Sequence, residues 1–166
     1  MKKALLILTT SLITLISCDS GNDHSKENLA LIDNYIQAVQ NLDYEAMDTA
    51  LDEKHLGLGP SFGDSIGKID AIKNWKYNVE NLYQKIEYTR SRNAAIDVIS
   101  GENQGEWISN WAELHITYKD DVGSVVIWAN SIYQIENNKI VKSYTFYNEA
   151  DALKQLGYIF VDPNEL

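Results

Sequence analysis

The sequence contains little cysteine, proline or positive charge. It has one cysteine and two prolines among 166 residues, and its 14 lysines and arginines oppose 24 acidic residues, for a formal net charge of −10. A single cysteine cannot form a disulfide within the chain. So acidic a surface repels phosphate backbones. The histidines and acidic residues show no spacing typical of a metal site, and no phosphate-binding loop motif is present. We therefore expect no metal, no cofactor and no nucleic-acid partner.

Long hydrophobic runs are also rare, and the clearest one lies at the start of the chain. After two lysines, residues 4–16 are uncharged and mostly apolar, which is typical of a secretory signal and short for a membrane span. The run ends in Leu15-Ile16-Ser17-Cys18, which resembles the lipobox of bacterial lipoproteins. The resemblance implies that residues 1–17 are removed and that lipid is attached to Cys18. The alternative is an ordinary secretory signal with an accidental cysteine.

The residues that follow predict a flexible tether, 18–27, and a folded domain, 28–166. Loss of residues 1–17 removes two lysines and no acidic residue, so the net charge becomes −12. Lipid, and not a basic patch, would then hold the protein to its membrane. Asp19 resembles an inner-membrane retention signal of some bacteria, although other groups use acidic tethers for surface export. We expect a location in the bacterial cell envelope and favour the outer membrane or cell surface.

The first half of the domain is predicted to be mostly helical. From Asn28 to Val39, apolar residues recur at spacings of three and four, which predicts an amphipathic helix. Asp43 is a typical cap for a second, shorter helix over 44–51. The glycine-rich stretch 55–67 predicts a loop, and the helical pattern returns over 68–83.

The second half alternates apolar and polar residues as strands do. The predicted strands are 86–98, 107–118, 125–135 and 140–147, joined by short polar turns. The third has apolar residues on both faces and is expected to be central. A short helix then follows and stops at Gly157. Helices followed by long antiparallel strands predict an α+β fold.

Three short motifs resemble those of the NTF2-like superfamily, in particular its SnoaL-like branch. They are residues 41–46 (NLDYEA) between the first two helices, residues 67–72 (GKIDAI) at the start of the third, and the segment 138–157 with its NKIV, FYN and QLG motifs. The resemblance covers about residues 28–158. It implies a cone, in which a strongly curved antiparallel sheet wraps around the N-terminal helices and leaves a pocket. Cones of this kind include isomerase-like enzymes, cyclases, ligand binders and interaction domains, so the fold alone does not decide function.

Asn148 stands where this family often has an acid. Enzymes of the family often use a pocket carboxylate as a general base, and the aspartate of a Tyr-Tyr-Asp motif is one candidate. The matching residues here are Phe146, Tyr147 and Asn148, and an amide does not accept a proton at neutral pH. Asn148 also precedes a helix, where asparagine is a preferred cap, so capping is the simpler interpretation. Whether the protein is an enzyme stays open, with the balance against it.

Two other places carry side chains that can transfer protons. Glu113 and His115 share one face of their strand, but the neighbouring apolar residues lie on the other face, so we expect the pair to point to solvent or to a partner. His55 lies at the entrance of the glycine-rich stretch and is the remaining weak candidate for a catalytic base. A plain loop histidine is the alternative.

The leading hypothesis is a non-catalytic binder of a small or apolar ligand, or of an envelope protein. The rival is an isomerase, cyclase or dehydratase that uses His55 or a pocket acid as its base. Most aromatic residues are expected to fill the core, with one or two lining the pocket. The predicted pocket residues are Tyr35, Trp75, Asn130, Tyr144 and Asn148. The outer face of the strand 125–135 is compatible with a homodimer.

Overall fold

The computed structural model describes residues 24–162 and residue 164. The predicted signal peptide, Cys18 and residues 19–23 of the tether lie outside the described residues. In the described part, none of the helices has the length and apolar character needed to cross a membrane. The helices are α1 (His24–Gln40), α2 (Tyr44–Ala50), α3 (Lys68–Asn81) and α4 (Glu149–Gln155). The strands are β1 (Leu51–Leu58), β2 (Ser65–Gly67), β3 (Tyr83–Val98), β4 (Gly105–Tyr118), β5 (Ser124–Glu136) and β6 (Lys139–Tyr147).

All six strands belong to one mixed sheet with the order β2-β1-β6-β5-β4-β3. The strands from β3 to β6 form a meander of antiparallel hairpins, because each follows the previous one through a short turn. β1 joins the sheet from the other end of the sequence and pairs parallel with β6, while β2 pairs antiparallel with β1. The N-terminal part of the chain thereby meets its C-terminal strand at the middle of the sheet.

The sheet bends where the pairing of β3 with β4 is interrupted between Thr89 and Arg92. Arg90, inside this irregularity, has a φ of 49°. Asn110 on β4 is almost fully buried, and its amide donates to Ser91 Oγ at 2.8 Å. Irregularities of this kind bend a strand and increase its twist. They give the sheet one concave face, on which the helices pack, and one convex face.

α1 lies against the concave face through its apolar stripe. Ile32 is 0 % exposed, and together with Ile36 it packs against Ile108 of β4 and Ile140 of β6. A second part of the core surrounds Met47 of α2, which is also 0 % exposed. Burying a side chain of this size stabilises a fold by about 1.5–3 kcal/mol. The helix hairpin therefore holds one side of the concave face closed.

The stretch 55–67 is not the loop that the glycines suggested. Residues 55–58 belong to β1 and residues 65–67 to β2, so that only 59–64 form a connecting turn. A Cβ on Gly57 would come within 3.1 Å of Ile66 Cγ2 on the neighbouring strand. The glycines therefore serve close strand pairing as well as the turn, and local composition does not distinguish these two uses. The prediction of a loop at His55 was wrong.

Several helix boundaries also differ from the prediction, including the end of α3 at Asn81, two residues earlier than predicted. α1 begins at His24, so residues 24–27, which were assigned to the tether, are helical. α2 ends at Ala50, one residue early, because Leu51 is extended and begins β1. Asp43 caps α2 as expected, with its Oδ1 accepting from the backbone N–H of Ala46 at 2.9 Å.

The capping role of Asn148 is confirmed. Its Oδ1 accepts from the backbone N–H of Asp151 at 3.1 Å, which satisfies one of the free donors at the start of α4. α4 is followed by Gly157, whose φ of +87° is typical of a residue just beyond a helix C-terminus. Ala152 of α4 packs against Val125 and Ile127 of β5, so the helix covers one end of the concave face.

Candidate functional site

A cavity of about 490 Å³ lies between the helices and the concave face. Ligand pockets in proteins have volumes of about 300–1,000 Å³, so this one is large enough for a small organic molecule. Its wall combines α1, α3, β1 and β2 with the concave side of β3 to β6. The lining is strongly aromatic: it includes Trp75 and six tyrosines, namely Tyr35, Tyr83, Tyr88, Tyr118, Tyr133 and Tyr147.

Among the residues that the structure describes, no aspartate, glutamate, lysine or arginine lines this cavity. Its polar groups are hydroxyls, amides and a single imidazole, that of His55. A charged ligand would leave water without meeting an opposite charge here, which costs several kcal/mol or more. The inventory therefore suits an uncharged ligand, and it leaves His55 as the candidate base.

Tyr35, Tyr88 and Tyr133, hereafter the tyrosine cluster, form one end of the cavity. The rings of Tyr35 and Tyr133 meet edge to face with their centroids 5.7 Å apart. Burial raises the pKa of all three hydroxyls, and that of Tyr133 reaches about 12. They therefore stay protonated at neutral pH and remain able to donate. No described residue hydrogen-bonds to the hydroxyl of Tyr35 or Tyr88.

Smaller hydroxyls lie beside the cluster on β5 and β6. Ser131 Oγ and Thr145 Oγ1 are 3.2 Å apart on neighbouring strands, and both residues line the cavity. Ser131 also opposes, in small part, the rise that burial causes in the pKa of Tyr133. Ser143 is the next residue of β6 on the same face. This side of the cavity is therefore a polar, uncharged floor.

His55 is 6 % exposed and is oriented by a backbone group. Its Nδ1 lies 3.1 Å from the carbonyl oxygen of Ile140. A carbonyl only accepts hydrogen bonds, so Nδ1 carries the proton and Nε2 carries a lone pair in the neutral ring. Burial lowers the pKa of His55, which keeps the ring neutral at neutral pH. No described residue hydrogen-bonds to Nε2, and His55 lines the cavity.

α3 forms the wall opposite the sheet. Trp75 faces the cavity and meets Tyr83 with ring centroids 6.0 Å apart. Burial raises the pKa of Tyr83 to about 12. Asn74 and Asn78, on the same helix, add amide groups to the lining. Lys119 holds the C-terminal end of α3 in place, because its Nζ donates to the carbonyl oxygen of Val79 at 2.7 Å.

The structure brings Tyr35, Trp75 and His55 together around the cavity, but it separates the other predicted pocket residues from them. Tyr144 lies on the convex face, where its ring is stacked on that of Phe146 at 6.3 Å and 2°. Asn130 and Asn148 line an open groove on that same face. The reason is the two-residue period of a strand, which directs Ser143 and Thr145 inward and the residues between them outward.

Sequence reasoning passed over Ser131, Ser143 and Thr145 as site residues. The sequence signal that could have found them is a polar residue in line with the apolar residues on one face of a strand. Val125, Ile127, Ala129 and Tyr133 lie at alternating positions on one face of β5, and Ser131 lies between the last two in that series. Its position on an apolar face indicated a polar group directed toward the interior.

Glu113 and His115 lie on the convex face, away from the cavity, as their alternation with apolar residues indicated. His115 Nε2 is 3.0 Å from Glu113 Oε1, and Thr89 Oγ1 donates to the same oxygen at 3.0 Å. These hydrogen bonds, with Arg90 nearby, lower the pKa of Glu113. The pair is a surface network, and it does not reach the candidate site.

Across residues 24–162 and 164, the histidine and acidic side chains form no group of three that could hold a metal ion. The convex groove has a different character from the cavity. It is open and is lined by Trp111, Trp128 and Phe146, which are 44 %, 62 % and 51 % exposed. Exposed aromatic groups gathered in this way are typical of contact surfaces.

No protein-family model matches the sequence, and no curated protein sequence is similar to it. Solved structures of several proteins share its fold. A candidate polyketide cyclase from Xanthomonas campestris pv. campestris aligns with a TM-score of 0.64 and 14 % identity, over 79 % of this chain and 97 % of that one. A candidate SnoaL-like polyketide cyclase from Shewanella denitrificans OS-217 aligns with a TM-score of 0.62 and 11 % identity, over 78 % and 96 %.

An LEH-like epoxide hydrolase from M. tuberculosis aligns with a TM-score of 0.57 and 14 % identity, over 79 % of this chain and 90 % of that one. Identities this low establish likeness of fold. The predicted α+β fold, with a curved sheet wrapped around N-terminal helices as in NTF2-like and SnoaL-like proteins, is confirmed.

Proposed function

We propose that this NTF2-like fold serves as a non-catalytic receptor for a small, uncharged, largely apolar ligand. The observation that carries the proposal is the cavity of about 490 Å³, which is lined by aromatic rings and hydroxyls and to which residues 24–162 and 164 contribute no Asp, Glu, Lys or Arg side chain. Apolar surface that is removed from water contributes about 25 cal/mol per Å² to the free energy of binding. The entropy cost of association is subtracted from this contribution. Open space on this scale favours a small molecule over an envelope protein as the occupant.

We propose also that lipid on Cys18 anchors this receptor to a membrane of the bacterial cell envelope. The support is the sequence alone: an apolar run, then a lipobox-like ending, then an acidic segment before α1. A net charge of −12 for the chain that starts at Cys18 argues against anchoring through anionic headgroups. Such an arrangement would hold the cavity close to the membrane surface, where apolar molecules accumulate.

Binding of bicyclic aromatic probes tests the proposal. Tryptophan fluorescence of the chain starting at Asp19 should change with naphthalene at micromolar to millimolar concentration. Naphthoate and naphthylmethylammonium should bind at least about 10-fold more weakly, because each would be a buried unpaired charge. Ala129→Phe, which fills the cavity, should abolish the response. Ala95→Phe, on an exposed position of β3, is the matched control. Equal binding of all three probes, or unchanged binding to Ala129→Phe, would contradict the proposal.

A second candidate is an enzyme in which His55 removes a proton from carbon. The unpaired Nε2 of His55 favours it, since a general base must face its substrate with a free lone pair. The solved structures that share this fold include candidate polyketide cyclases, which their descriptions identify as enzymes. Exchange of the α-protons of tetralone in D₂O, followed by NMR, tests it. Acceleration that is lost in His55→Gln supports the enzyme, and exchange at the buffer rate supports the receptor.

A further inference from the structure

We infer that the cavity selects a neutral hydroxy-carbonyl compound, whose hydroxyl donates to His55 Nε2 and whose carbonyl oxygen accepts from the tyrosine cluster. The inference rests on the proposed receptor function and adds the chemical class of its ligand. Two sets of polar atoms carry it. One is the acceptor Nε2 of His55 on the β1 side of the cavity, and the other is the group of tyrosine hydroxyls from α1, β3 and β5.

The acceptor is the lone pair of His55 Nε2. The Ile140 carbonyl takes the proton on Nδ1, so the ring cannot also donate from Nε2 while it is neutral. The side chain is 6 % exposed, and no described residue hydrogen-bonds to Nε2. A polar atom that a ligand covers needs a hydrogen-bond partner, as buried polar atoms in proteins generally have one. A ligand that fills the cavity must therefore bring a donor to this atom or leave it unsatisfied.

That donor is a neutral group. An ammonium would need a carboxylate, and no aspartate or glutamate in the described part of the chain lines the cavity. A hydroxyl carries a proton for Nε2 without any charge. The hydroxyl can therefore donate to Nε2 while both the ligand and the buried imidazole remain neutral.

The tyrosine cluster supplies the complementary donors. The hydroxyls of Tyr35 and Tyr88 have no hydrogen-bond partner among the described residues, and both face the cavity. The hydroxyl of Tyr133, the third member of the cluster, stays protonated because burial raises its pKa. A carbonyl oxygen has two lone pairs and accepts from two such donors. A carboxylate would also accept, but no lysine or arginine of the lining would balance its charge.

Sheet register sets the separation of the two ends. Gly57, Ser143 and Tyr133 are paired across β1, β6 and β5 in one row. His55 Nε2 is adjacent to Gly57, at 3.5 Å from the position of a Cβ there. Two strand spacings of about 4.8 Å separate Gly57 from Tyr133, or roughly 10 Å between backbones. Side chains reach inward from both sides, so a fused two-ring skeleton fits between the polar ends.

Four probes that share one fused two-ring skeleton test the inference with the full mature chain. Hydroxytetralone has a phenolic hydroxyl and a ketone on opposite rings, methoxytetralone lacks the donor, tetrahydronaphthol lacks the ketone, and tetralin lacks both. We expect hydroxytetralone to bind at least about 10-fold more tightly than either single-group probe, since a site built to hydrogen-bond rejects analogues that leave its polar groups unpaired. Calorimetry or fluorescence gives the four dissociation constants.

Variants assign each preference to its residue. In His55→Phe the advantage of the hydroxyl should vanish while that of the ketone remains. In the double variant Tyr35→Phe with Tyr88→Phe, the reverse should hold. His115→Phe, on the convex face, is the control and should change neither preference. If His55→Phe does not fold, the ¹⁵N shift of Nε2 in the unchanged protein replaces it: the shift should move with hydroxytetralone and stay constant with methoxytetralone.

The outcomes separate this inference from the receptor function. If tetralin binds and the hydroxyl adds nothing, or its advantage survives in His55→Phe, the inference fails and the receptor function stands. If none of the four probes binds, both the receptor function and the inference that rests on it are contradicted. A preference for the hydroxyl and the ketone that follows the two sets of variants supports both.

Discussion

His55 and Ile140 are 85 residues apart in the sequence and are joined by a hydrogen bond of 3.1 Å from the imidazole Nδ1 to the carbonyl oxygen. Ile140 is fully buried in the core, so its backbone is a rigid reference for the ring. The bond exists because β1 and β6 pair in parallel. It determines which nitrogen carries the proton and turns the other toward the cavity.

The stability of the protein should fall as the pH drops from about 7 to 5, with His55 as one cause. The folded-state pKa of His55 is lowered by burial, while in the unfolded chain the residue titrates near 6.5. Between the two values the unfolded state binds more protons, so stability is complete above about pH 6.5 and is lost as the pH falls toward the folded pKa. Urea unfolding at several pH values measures the slope.

His55→Phe should flatten that slope between pH 5 and 7, although its stability at pH 7 also drops because the Ile140 carbonyl loses its donor. Leu56→Phe, at an exposed and non-titrating position of β1, is the control and should keep the slope of the unchanged protein. A slope that is identical in His55→Phe and the unchanged protein would show that the imidazole does not resist protonation.

Asn148→Ala should lower the free energy of unfolding by about 0.5–2 kcal/mol, because it removes the cap of α4. Asn148→Asp should keep most of that stability, since a carboxylate accepts the same backbone N–H and suits the helix dipole. Thermal unfolding of both variants measures the difference. Asn148→Asp should also leave probe binding unchanged, because the residue lies on the convex groove. Enzyme activity that Asn148→Asp shows and the unchanged protein lacks would contradict the placement of residue 148 outside the cavity.

Gly59→Ala should destabilise the protein more than Gly63→Ala. Both glycines have positive φ, 89° and 91°, so an alanine at either costs about 1–2 kcal/mol in backbone strain. At Gly59 the new Cβ would also overlap the carbonyl oxygen of Thr145, whereas at Gly63 it would meet nothing within 4 Å. Chemical unfolding of the two variants isolates the steric part. Equal losses would mean that the turn moves away from β6 without cost.

Cys18→Ser should release the protein from membranes. The sulfur of this residue is the predicted site of lipid attachment, and each buried methylene of an acyl chain contributes about 0.8 kcal/mol to membrane binding. Fractionation of cells into soluble and membrane parts gives the result, and a lipid-labelled mass shift on the unchanged protein is the positive control. Retention of Cys18→Ser in the membrane fraction would show that something other than the lipobox anchors it.

The convex groove is expected to mediate a homodimer. Trp128 is 62 % exposed at its centre, and we expect the chain starting at Asp19 to sediment as a dimer at micromolar concentration. Trp128→Glu should shift it to monomer, because it places a charge in an apolar contact. Phe62→Glu, in the turn between β1 and β2, is the control. A monomer at every micromolar concentration tested for the unchanged chain would end the dimer hypothesis.

The elements of the fold were readable because their signals are local. The stripe that contains Ile32 and Ile36 has helical spacing, and Asp43 and Asn148 precede their helices as capping residues do. The two faces of β5 could be separated by their alternation, but both carry apolar residues, so the sequence did not show which face is inward. The error at 55–67 arose where local composition has two meanings, since glycine serves both a turn and a closely packed strand.

The sequence by itself determined the class of fold, its four helices, the four long strands of the meander and the absence of an acid at Asn148, because each of these depends on residues close together in the chain. Only the tertiary structure decided what lines the cavity. Whether Ser143 or Tyr144 points inward depends on a register set by β1 and β5, and a shift of one residue reverses every face of a strand. Pairing over long separations also oriented His55, which no local pattern could show. That pairing turned a glycine-rich stretch with one histidine into the wall of an uncharged pocket.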